Sequence, residues 1–423
     1  MEKDRFEPKW SKLDNAALVY PSASSAKWNN VFRVSAYLKQ NVDPQKLQQA
    51  LNIVIERFPN FDVTLRRGFF WYYFQSVTEF PKVAEEKTYP CQKMELNKKK
   101  HLFRVLYFKN KISFETFHSL TDGSGAVCFL NALLACYFDL CGQKISSKQL
   151  AVDYSDKPSP EEMEDSFKRF ADFSGKAKRQ TKRCFQIAGT PEQNGVLNVI
   201  TLVASASKLN QVAKEHNATI TQFLVAIYAK AIINNQLTSY AKKRPVTISV
   251  PTNLRKIFPS QTLRNFSSWV NVSFCQNQKT EDIDKLIAIC KEQMSQVTKE
   301  NMLKNINANI ASEKNFFVRT MPLAIKNLAL HLSYKIFGER TYTTVLTNLG
   351  RISAPEQFCN LVDRYECLLC KSMINTLNIG IATFGDKISI SFTSCIKEHT
   401  IERNFCRILK KFGVDIVVYS NIK

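Results

Sequence analysis

Signals for membrane insertion, secretion and metal binding are all missing from this sequence. No uncharged apolar run reaches the roughly 18 residues that a membrane span needs, and the first residues lack the apolar core of a signal peptide. The 12 cysteines are scattered among apolar neighbours, and the one Cys-x-x-Cys pair, Cys367 and Cys370, has no second pair or histidine at zinc-site spacing. We therefore expect a cytoplasmic protein with reduced thiols and no metal.

The common signatures of nucleophilic catalysis and of nucleotide or nucleic-acid binding are missing as well. There is no Gly-x-Ser-x-Gly turn and no reactive Cys-His signature, so no nucleophile for covalent catalysis stands out. The stretch DGSGAV lacks the lysine of a P-loop and the third glycine of a dinucleotide fingerprint. No zinc-finger, RNP-type or helix-turn-helix pattern appears, so nucleic acid is not an expected partner.

What the sequence has in excess is positive charge. A formal net charge of +22 favours an anionic partner such as nucleic acid, a membrane surface, an acidic carrier protein or a phosphate-bearing cosubstrate. Membrane association is compatible with this charge but not implied by it. The densest basic run lies between residues 167 and 186 and contains Lys168, Arg169, Lys176, Lys178, Arg179, Lys182 and Arg183. Composition alone does not decide whether this run binds a ligand or is a solvated linker.

Periodic apolar patterns predict strands and helices in both halves of the 423-residue chain. In the N-terminal half a strand is followed by a helix that Asp43 caps, and a hairpin at 102–117 ends at His118. In the C-terminal half a strand occupies 246–250, and Pro251 is expected to end it because proline has no N–H for a ladder. The patterns predict a mixed α/β (α+β) protein.

A break in composition divides the chain. From about residue 141 to 194 the sequence becomes polar, with prolines, an acidic cluster and then the basic run, which is typical of a connection between domains. We therefore predict an N-terminal domain at 1–145, a crossover linker at 146–194 and a C-terminal domain at 195–423.

His118 is the candidate catalytic residue, because it stands where a hairpin strand stops and a glycine-rich turn leads into a helix. A general base must project from rigid backbone, and imidazole exchanges protons near neutral pH. A histidine packed at a strand end is the commoner structural alternative. Asp122, just before Gly123 at the tight turn, is better placed to hold the loop through hydrogen bonds or an arginine than to relay charge.

The residues HSLTDG at 118–123 match an HxxxDG motif, and this sequence resembles the superfamily of CoA-dependent acyltransferases. That superfamily includes chloramphenicol acetyltransferase, plant BAHD acyltransferases, wax ester synthases and the condensation domains of peptide synthetases, and the closer likeness is to the alcohol acetyltransferases. Four stretches carry the likeness in the family's order: RFPNFDVTLRRGFFWYY at 57–73, FHSLTDGSGAVCFLNALL at 117–134, VPTNLRKIFPSQTLRNF at 250–266 and VLTNLG at 345–350.

The resemblance implies two chloramphenicol-acetyltransferase-like domains in a pseudo-dimer, with a tunnel between them and His118 near its middle. It implies transfer of an acetyl or other acyl group from acyl-CoA to a hydroxyl or amine acceptor, with His118 as general base. Asn348, with Thr347 beside it, is the candidate oxyanion donor, and the alternative for both is a structural role in the turn before Gly350. Arg255 is expected either to bind the phosphates of CoA or to clamp the two domains together. The basic residues Lys178, Arg179 and Lys182 are further candidates for binding CoA.

Several positions depart from the family pattern. Condensation domains usually carry a second histidine where this chain has Phe117, which argues against peptide-bond formation. The plant DFGWG pattern is absent, and TNLGR occupies the comparable late position. Asp62 stands where many relatives place an arginine, so Arg66 and Arg255 are both candidate partners of Asp122.

Two alternatives to a CoA-dependent enzyme stay open. One is a condensation-type acyltransferase whose donor is an acyl carrier protein. The other is a non-catalytic relative that binds acyl chains or a carrier protein, although such a protein has no need for a base at position 118. We expect a monomer that acts on a small-molecule or lipid-like hydroxyl acceptor.

Overall fold

The computed structural model describes residues 10–24, 29–96, 99–146, 149–175, 182–236, 244–275, 282–333, 339–370, 372 and 374–422. The strands are β1 Trp10–Lys12, β2 Val31–Leu38, β3 Val63–Arg67, β4 Tyr72–Ser76, β5 Val83–Glu85, β6 Phe103–Phe108, β7 Lys111–Phe117, β8 Asn198–Ser205, β9 Val246–Asn253, β10 Ser267–Phe274, β11 Thr344–Arg351, β12 Val362–Leu368, β13 Leu377–Phe384, β14 Lys387–Ser394 and β15 Ile416–Ser420. The α-helices are α1 Val19–Ala23, α2 Pro44–Arg57, α3 Gly123–Leu140, α4 Ser166–Phe170, α5 Ala206–Glu215, α6 Ile220–Gln236, α7 Ile283–Met294, α8 Lys299–Lys314, α9 Phe316–Thr320, α10 Leu323–Ser333, α11 Phe358–Leu361 and α12 Thr400–Lys411.

The first lobe is built on a five-stranded sheet in the order β12-β2-β7-β6-β5. Helices α2 and α3 cover this sheet, and the rings of Phe58, Phe61, Phe114 and Phe129 meet between helices and strands. The Asp43 side chain accepts the N–H groups of the first turn of α2, which confirms the predicted cap. Helix α3 is long and apolar enough to cross a membrane by composition, but 67% of it is buried here as a core helix.

The second lobe is built on a seven-stranded sheet in the order β10-β9-β11-β13-β14-β8-β15. Strands β9, β11 and β13 run parallel, and the remaining neighbours in the sheet are antiparallel. Helices α6, α7 and α12 bury their apolar side chains against this sheet in a second core. The predicted mixed α/β class is confirmed, and a small third sheet, β1-β4-β3, flanks the first lobe.

Strand β12 joins the two lobes, and the sequence patterns did not predict it. It follows β11 of the second lobe, yet it pairs with β2 of the first lobe. It also crosses closely over β13, because a Cβ on Gly380 would lie only 2.2 Å from the carbonyl oxygen of Cys367. The hydroxyl of Thr201, on β8 of the second lobe, donates to Glu366 of β12 at 2.7 Å. The domain boundaries at 145 and 195 stay a prediction. Strand β12 belongs in sequence to the predicted C-terminal domain, but it completes the sheet of the first lobe.

Pro251 does not end its strand, contrary to the sequence expectation. Strand β9 continues to Asn253, and Pro251 lies opposite Trp269 of β10. On its other side, β9 pairs with β11 only at Ile248 and Ser249. Beyond Ser249 that side of β9 is an edge, where the missing N–H of proline costs no ladder bond.

The crossover segment runs between the lobes and is anchored to both. Arg57 of α2 binds Glu162 through both terminal guanidinium nitrogens, each at 2.7 Å. The Glu162 carbonyl accepts the N–H of Leu263 from the second half of the chain, at 2.8 Å. Helix α4 packs against α8 in a third apolar cluster that includes Phe167 and Phe266. The crossover thus brings residues near 263 against the first lobe.

Candidate active site

The backbone of His118 is fixed at the point where β7 stops. Its N–H donates to the Asn30 carbonyl at 2.8 Å, directly after the last pair of the ladder, Val31 with Phe117. A short turn then leads to Asp122, which caps helix α3. The histidine therefore projects from a strand held on both sides by its neighbours, as a general base requires.

Two aromatic rings hold the imidazole. Tyr20 of α1 stacks on it, with ring centroids 4.6 Å apart and planes 19° apart, and Phe32 of β2 lies 4.8 Å away at a tilt of 51°. Although the ring lies deep between these elements, His118 is not fully buried and part of its surface stays accessible. The side chain is thus enclosed by these rings without belonging to the fully buried core.

Asn265 determines which imidazole nitrogen is free. Its Oδ1 lies 3.1 Å from Nδ1 of His118, while its Nδ2 faces Oδ2 of Asp14 at 3.3 Å and the Ser119 carbonyl at 3.5 Å. Because Nδ2 must face these acceptors, Oδ1 is the atom presented to the histidine, and Nδ1 carries the proton. The lone pair of the neutral imidazole then resides on Nε2.

The surroundings favour a neutral imidazole. Burial lowers the pKa of His118 from its ordinary value of 6.5, and the hydrogen bond to its own backbone, the charge of Asp122 and the bond to Asn265 oppose this only in part. A neutral imidazole is the form that accepts a proton. The lowered pKa therefore favours the neutral form of His118 at neutral pH.

Asp14 lies behind Asn265 and is completely buried. Burial and the nearby charge of Asp165 raise its pKa to about 7, against the opposing effects of Arg264 and of hydrogen bonds from Ala17 and Asn265. The three side chains Asp14, Asn265 and His118 form one hydrogen-bonded row. Asn265 comes from the second half of the chain, so this row links the lobes.

Asp122 lies four residues beyond His118 in the sequence and has a different role. Its Oδ1 accepts the N–H groups of Ser124 and Gly125, at 3.1 and 3.2 Å. Its Oδ2 accepts from Arg255 Nη1 at 2.7 Å and from the N–H of Phe266 at 2.8 Å. With four donors, this carboxylate caps α3 and ties it to residues 254–266, here called the linking loop.

Arg255 is the arginine that pairs with Asp122. Its other nitrogens donate to the carbonyls of Thr262 and Arg264, at 2.9 and 2.5 Å. Arg66, the other candidate, bonds instead to Oε1 of Gln75 at 2.7 Å. Because the Arg255 guanidinium is engaged inside the linking loop, its geometry favours the clamp over the predicted binding of CoA phosphates.

The close approach of the linking loop depends on glycine at position 125. A Cβ there would lie 2.4 Å from the carbonyl oxygen of Leu263 and closer still to the Thr121 hydroxyl. That hydroxyl donates to the same carbonyl at 2.6 Å. Gly123, the glycine of the motif, begins α3, and a Cβ on it would meet a methyl group of Leu349 at 2.6 Å. The late stretch VLTNLG therefore lies against the motif.

Asn348, the predicted oxyanion donor, has partners of its own. Its Nδ2 donates to Oγ1 of Thr221 at 2.9 Å, and its Oδ1 accepts the N–H of Gly350 at 2.8 Å. Gly350 has a φ of +76°, a turn conformation that glycine adopts readily. These bonds favour the turn-forming alternative for Asn348, although one of its amide hydrogens is left for another acceptor.

The basic run is only partly within the described residues. Lys178 and Arg179 lie outside them, as does Lys176. Lys182 and the residue after it are exposed. Cys184 Sγ lies 3.1 Å from the hydroxyl of Thr247, near the start of β9, whereas the linking loop follows its end. Lys182 is thus near the far end of a strand segment about 20 Å long.

Three residues of the site were not singled out from the sequence: Asn265, Asp14 and Tyr20. Asn265 lies within the stretch 250–266 that carried the family resemblance, so attention to its polar residues would have found it. Asp14 and Tyr20 belong to the first described segment, where no periodic pattern pointed to them. Their contribution depends on contacts with residues about 100 or more positions away in the chain.

Comparison with known proteins identifies the fold. No family model matches the sequence, and no curated protein matches it. Among similar solved structures is the TRI3 trichothecene 15-O-acetyltransferase of Fusarium sporotrichioides, with 11% identity, a TM-score of 0.61 and coverage of 97% of this chain and 96% of that one. The wax ester synthase/diacylglycerol acyltransferase of Marinobacter aquaeolei VT8 has 12% identity, a TM-score of 0.56 and coverage of 95% and 100%.

The first condensation domain of the calcium-dependent antibiotic synthetase has 11% identity, a TM-score of 0.61 and coverage of 97% and 99%. These neighbours span nearly the whole chain and are two-lobed. The predicted likeness to the CoA-dependent acyltransferase and condensation fold is therefore confirmed. Identities this low establish the fold, and the chemistry must be argued from the site.

Proposed function

We propose that this protein is an acyltransferase that moves an acyl group from acyl-CoA to a hydroxyl acceptor, with His118 as the general base. The proposal rests on the position and hydrogen bonding of the His118 side chain. His118 stands at a strand end and is not fully buried, and its Nδ1 faces Asn265 at 3.1 Å. Its Nε2 is the nitrogen left for substrate, in a cleft that we propose between the lobes. Similarity in fold to an acetyltransferase and a wax ester synthase supports the same reaction class.

In the proposed reaction, Nε2 of His118 accepts the hydroxyl proton of the acceptor as its oxygen attacks the thioester carbonyl. The resulting tetrahedral intermediate collapses, the carbon–sulfur bond breaks, and the imidazolium returns the proton to the leaving thiolate. The Asn265 oxygen and the negative charge of Asp122 both favour the transient imidazolium. The products are the acylated acceptor and a free thiol, so protons balance over one turnover.

We keep Asn348 as the proposed donor to the oxyanion, through the amide hydrogen that Thr221 does not take. Removal of one such donor typically lowers the rate about 100- to 1,000-fold. A decrease of that size in kcat for Asn348→Ala, at an unchanged melting temperature, supports this role. A lowered melting temperature with little change in kcat assigns Asn348 to the turn alone.

A carrier-protein donor is the second candidate. Similarity in fold to a condensation domain and the net charge of +22 both favour it, since acyl carrier proteins are acidic. Phe117, in place of the second histidine of condensation domains, argues against amide-forming chemistry. The identity of the acyl donor, acyl-CoA or acyl carrier protein, is therefore tested separately from the role of His118.

The test is a thiol-release screen of acyl-CoAs of increasing chain length against pooled alcohols and amines. We expect release with wild type and a loss of about 100- to 10,000-fold with His118→Ala. His399→Ala is the matched control, because His399 is also partly exposed and pairs with Glu402 at 3.4 Å in the second lobe. This control is expected to keep full activity.

Other outcomes of the screen assign the protein to the alternatives. Activity that appears only with an acylated carrier protein, and depends on His118, identifies a carrier-dependent acyltransferase. Acyl-CoA binding without turnover for either donor identifies a non-catalytic relative. Equal turnover by His118→Ala and wild type contradicts the assignment of the base.

A further inference from the structure

Helix α10 turns its apolar side outward. Ile325 and Leu328 are 53% and 62% exposed, and Ala324 and Ala329 on the same face are exposed as well. Lys326, in contrast, is only 4% exposed. An ordinary surface helix has the reverse arrangement, with apolar residues inward and lysine in water. Among the described residues nothing covers this apolar face.

The tip of the β3–β4 hairpin lies beside α10 and is also apolar. Phe69 is 72% exposed and packs edge-on against the exposed Phe70. The Phe69 carbonyl accepts the N–H of Leu323 at 2.8 Å, and Lys326 Nζ donates to the Phe70 carbonyl at 2.9 Å. Lys326 Nζ also lies 3.3 Å from the ring centroid of Trp71. The buried lysine thus joins the hairpin tip to the helix in one surface.

Helix α9 extends this surface. Phe316 and Val318 are exposed, and the carbonyl of Arg319 lies 3.4 Å from Lys326 Nζ. We call the hairpin tip and the exposed faces of α9 and α10 the α10–hairpin surface. Soluble proteins rarely expose a contiguous apolar patch that includes several aromatic rings without using it for interaction.

Positive charge surrounds the α10–hairpin surface. The segments 63–76 and 314–333 contain no Asp or Glu, and besides the buried Lys326 they carry Arg66, Arg67, Lys314 and Arg319. A shallow depression of about 480 Å³ beside the hairpin tip is lined by Arg66, Arg67, Tyr73 and Gln75. Apolar side chains flanked by cations without acids match the boundary between lipid tails and anionic headgroups.

The same surface is linked to the candidate site through helix α1. Ser22 of α1 donates to Oδ1 of Asn327 on α10 at 2.6 Å. Two residues earlier, Tyr20 stacks on the ring of His118. One short helix therefore connects the outward apolar face with His118.

We propose that the α10–hairpin surface docks on an anionic membrane, with Phe69, Ile325 and Leu328 among the acyl chains and the flanking arginines at phosphate headgroups. Docking of a second copy is disfavoured, because a two-fold contact would bring the arginines of both copies together. The inference goes beyond acyl transfer, and it is measured without any assay of activity.

The test is cosedimentation of the full-length protein with phosphatidylcholine vesicles that contain either no anionic lipid or about 30% phosphatidylglycerol. We expect binding to the anionic vesicles that weakens with salt, and little binding to the neutral ones. Ile325→Ser with Leu328→Ser should lower the affinity by roughly tenfold per residue, because each removes one buried apolar contact. Arg67→Gln and Arg319→Gln should each lower it about fivefold.

Two controls make the result specific. Val417→Ser with Val418→Ser removes comparable exposed apolar residues from the distant strand β15 and should leave binding unchanged. His118→Ala should also bind vesicles normally, so failure of the acyltransferase proposal leaves this test intact. Melting curves should be unchanged for all these variants, since every substituted side chain is at least partly exposed.

The proposal is overturned if wild-type protein does not cosediment with anionic vesicles. Equal binding by wild type and the Ile325→Ser, Leu328→Ser variant overturns it as well, because the vesicles would then bind to another part of the protein. A wild-type dimer in sedimentation velocity that the same variant converts to monomer assigns the surface to a second copy and also overturns it.

Discussion

His118 and Asp122 belong to one six-residue motif, yet their surroundings are opposite in kind. His118 has a neutral amide as its side-chain partner and is not fully buried. Asp122 is enclosed by an arginine and three backbone N–H groups, which leave it no free acceptor for chemistry. The two residues of one motif therefore suit two different roles: His118 is the residue that we propose exchanges a proton, and Asp122 joins helix α3 to the linking loop.

The largest effect is expected on stability, from Asp122→Ala. The substitution leaves the mostly buried Arg255 without its counter-ion and removes the cap of α3. Breaking a buried ion pair typically costs about 3–5 kcal/mol, and loss of a cap adds about 1 kcal/mol. We expect a clearly lowered midpoint in thermal melts followed by circular dichroism.

Asp122→Asn serves as the matched control for this comparison. The amide oxygen still caps α3, so the expected loss is confined to the ion pair and should be smaller than for alanine. A melting temperature of Asp122→Ala equal to that of wild type would remove the distinction between the two motif residues.

The second prediction concerns pH and Asp14. Because burial raises the pKa of Asp14 to about 7 from 3.8, its contribution to stability is full at low pH and is lost as pH rises through about 7. A shift of this size corresponds to about 4 kcal/mol. The stability of wild type relative to Asp14→Asn should therefore fall by that order between about pH 4 and pH 8.

Urea unfolding of both proteins across this pH range measures the difference directly. Parallel stability profiles for wild type and Asp14→Asn would show that Asp14 has an ordinary carboxyl pKa. The burial of Asp14 behind Asn265 would then have no effect on its protonation.

The third prediction concerns Asn265, which bonds to a charged imidazolium only during turnover. Hydrogen bonds to charged groups are worth about 1.5–3 kcal/mol, so Asn265→Ala should lower kcat roughly 10- to 100-fold with little change in KM. Asn265→Asp should instead raise the pKa of His118, because a carboxylate favours the protonated ring.

Two-dimensional ¹⁵N NMR of the histidine side chains reports both effects without an activity assay. Wild type should show His118 with its proton on Nδ1, and Asn265→Ala should show a mixture of the two tautomers. An Nε2-protonated ring in wild type contradicts the proposed geometry of the base.

The smallest effect is expected for Tyr20. Aromatic stacking is worth about 0.5–1.5 kcal/mol, so Tyr20→Ala should lower kcat by about two- to tenfold. Tyr20→Phe keeps the ring and should match wild type. A large loss for Tyr20→Phe would instead give the phenol hydroxyl a direct part in the reaction.

Much of the first lobe could be predicted from the sequence, because its signals are local. The Asp43 cap, the hairpin that ends at His118 and the turn before α3 all depend on neighbouring residues. Strand β12 escaped prediction because charged residues interrupt its apolar pattern. Arg364 is buried over the ring of Tyr37, and Glu366 accepts from Thr201. A buried charge in a strand is stable only when a partner compensates it. These partners are distant in the sequence, so the local pattern gives no sign of them.

The site was predictable only in part, for the same reason. His118 and Asp122 share a local motif, whereas the choice of Arg255 over Arg66 depends on a contact across 133 positions. Asn265 is even farther from His118 in the chain, at 147 positions. The orientation of α10 was also hidden, since a pattern that contains Ile325, Lys326 and Leu328 gives no reason to bury the lysine.

The most direct test of the central claim is the pH dependence of kcat/KM for wild type and His118→Ala, with one acyl donor and one alcohol, from about pH 4.5 to 8.5. Wild-type activity should rise with pH and level off above a single inflection below 6.5, because burial lowers the pKa of His118. His118→Ala should be about 100- to 10,000-fold less active and lack that inflection, at an unchanged melting temperature. The same inflection and comparable activity in His118→Ala would contradict the role of this histidine as the base.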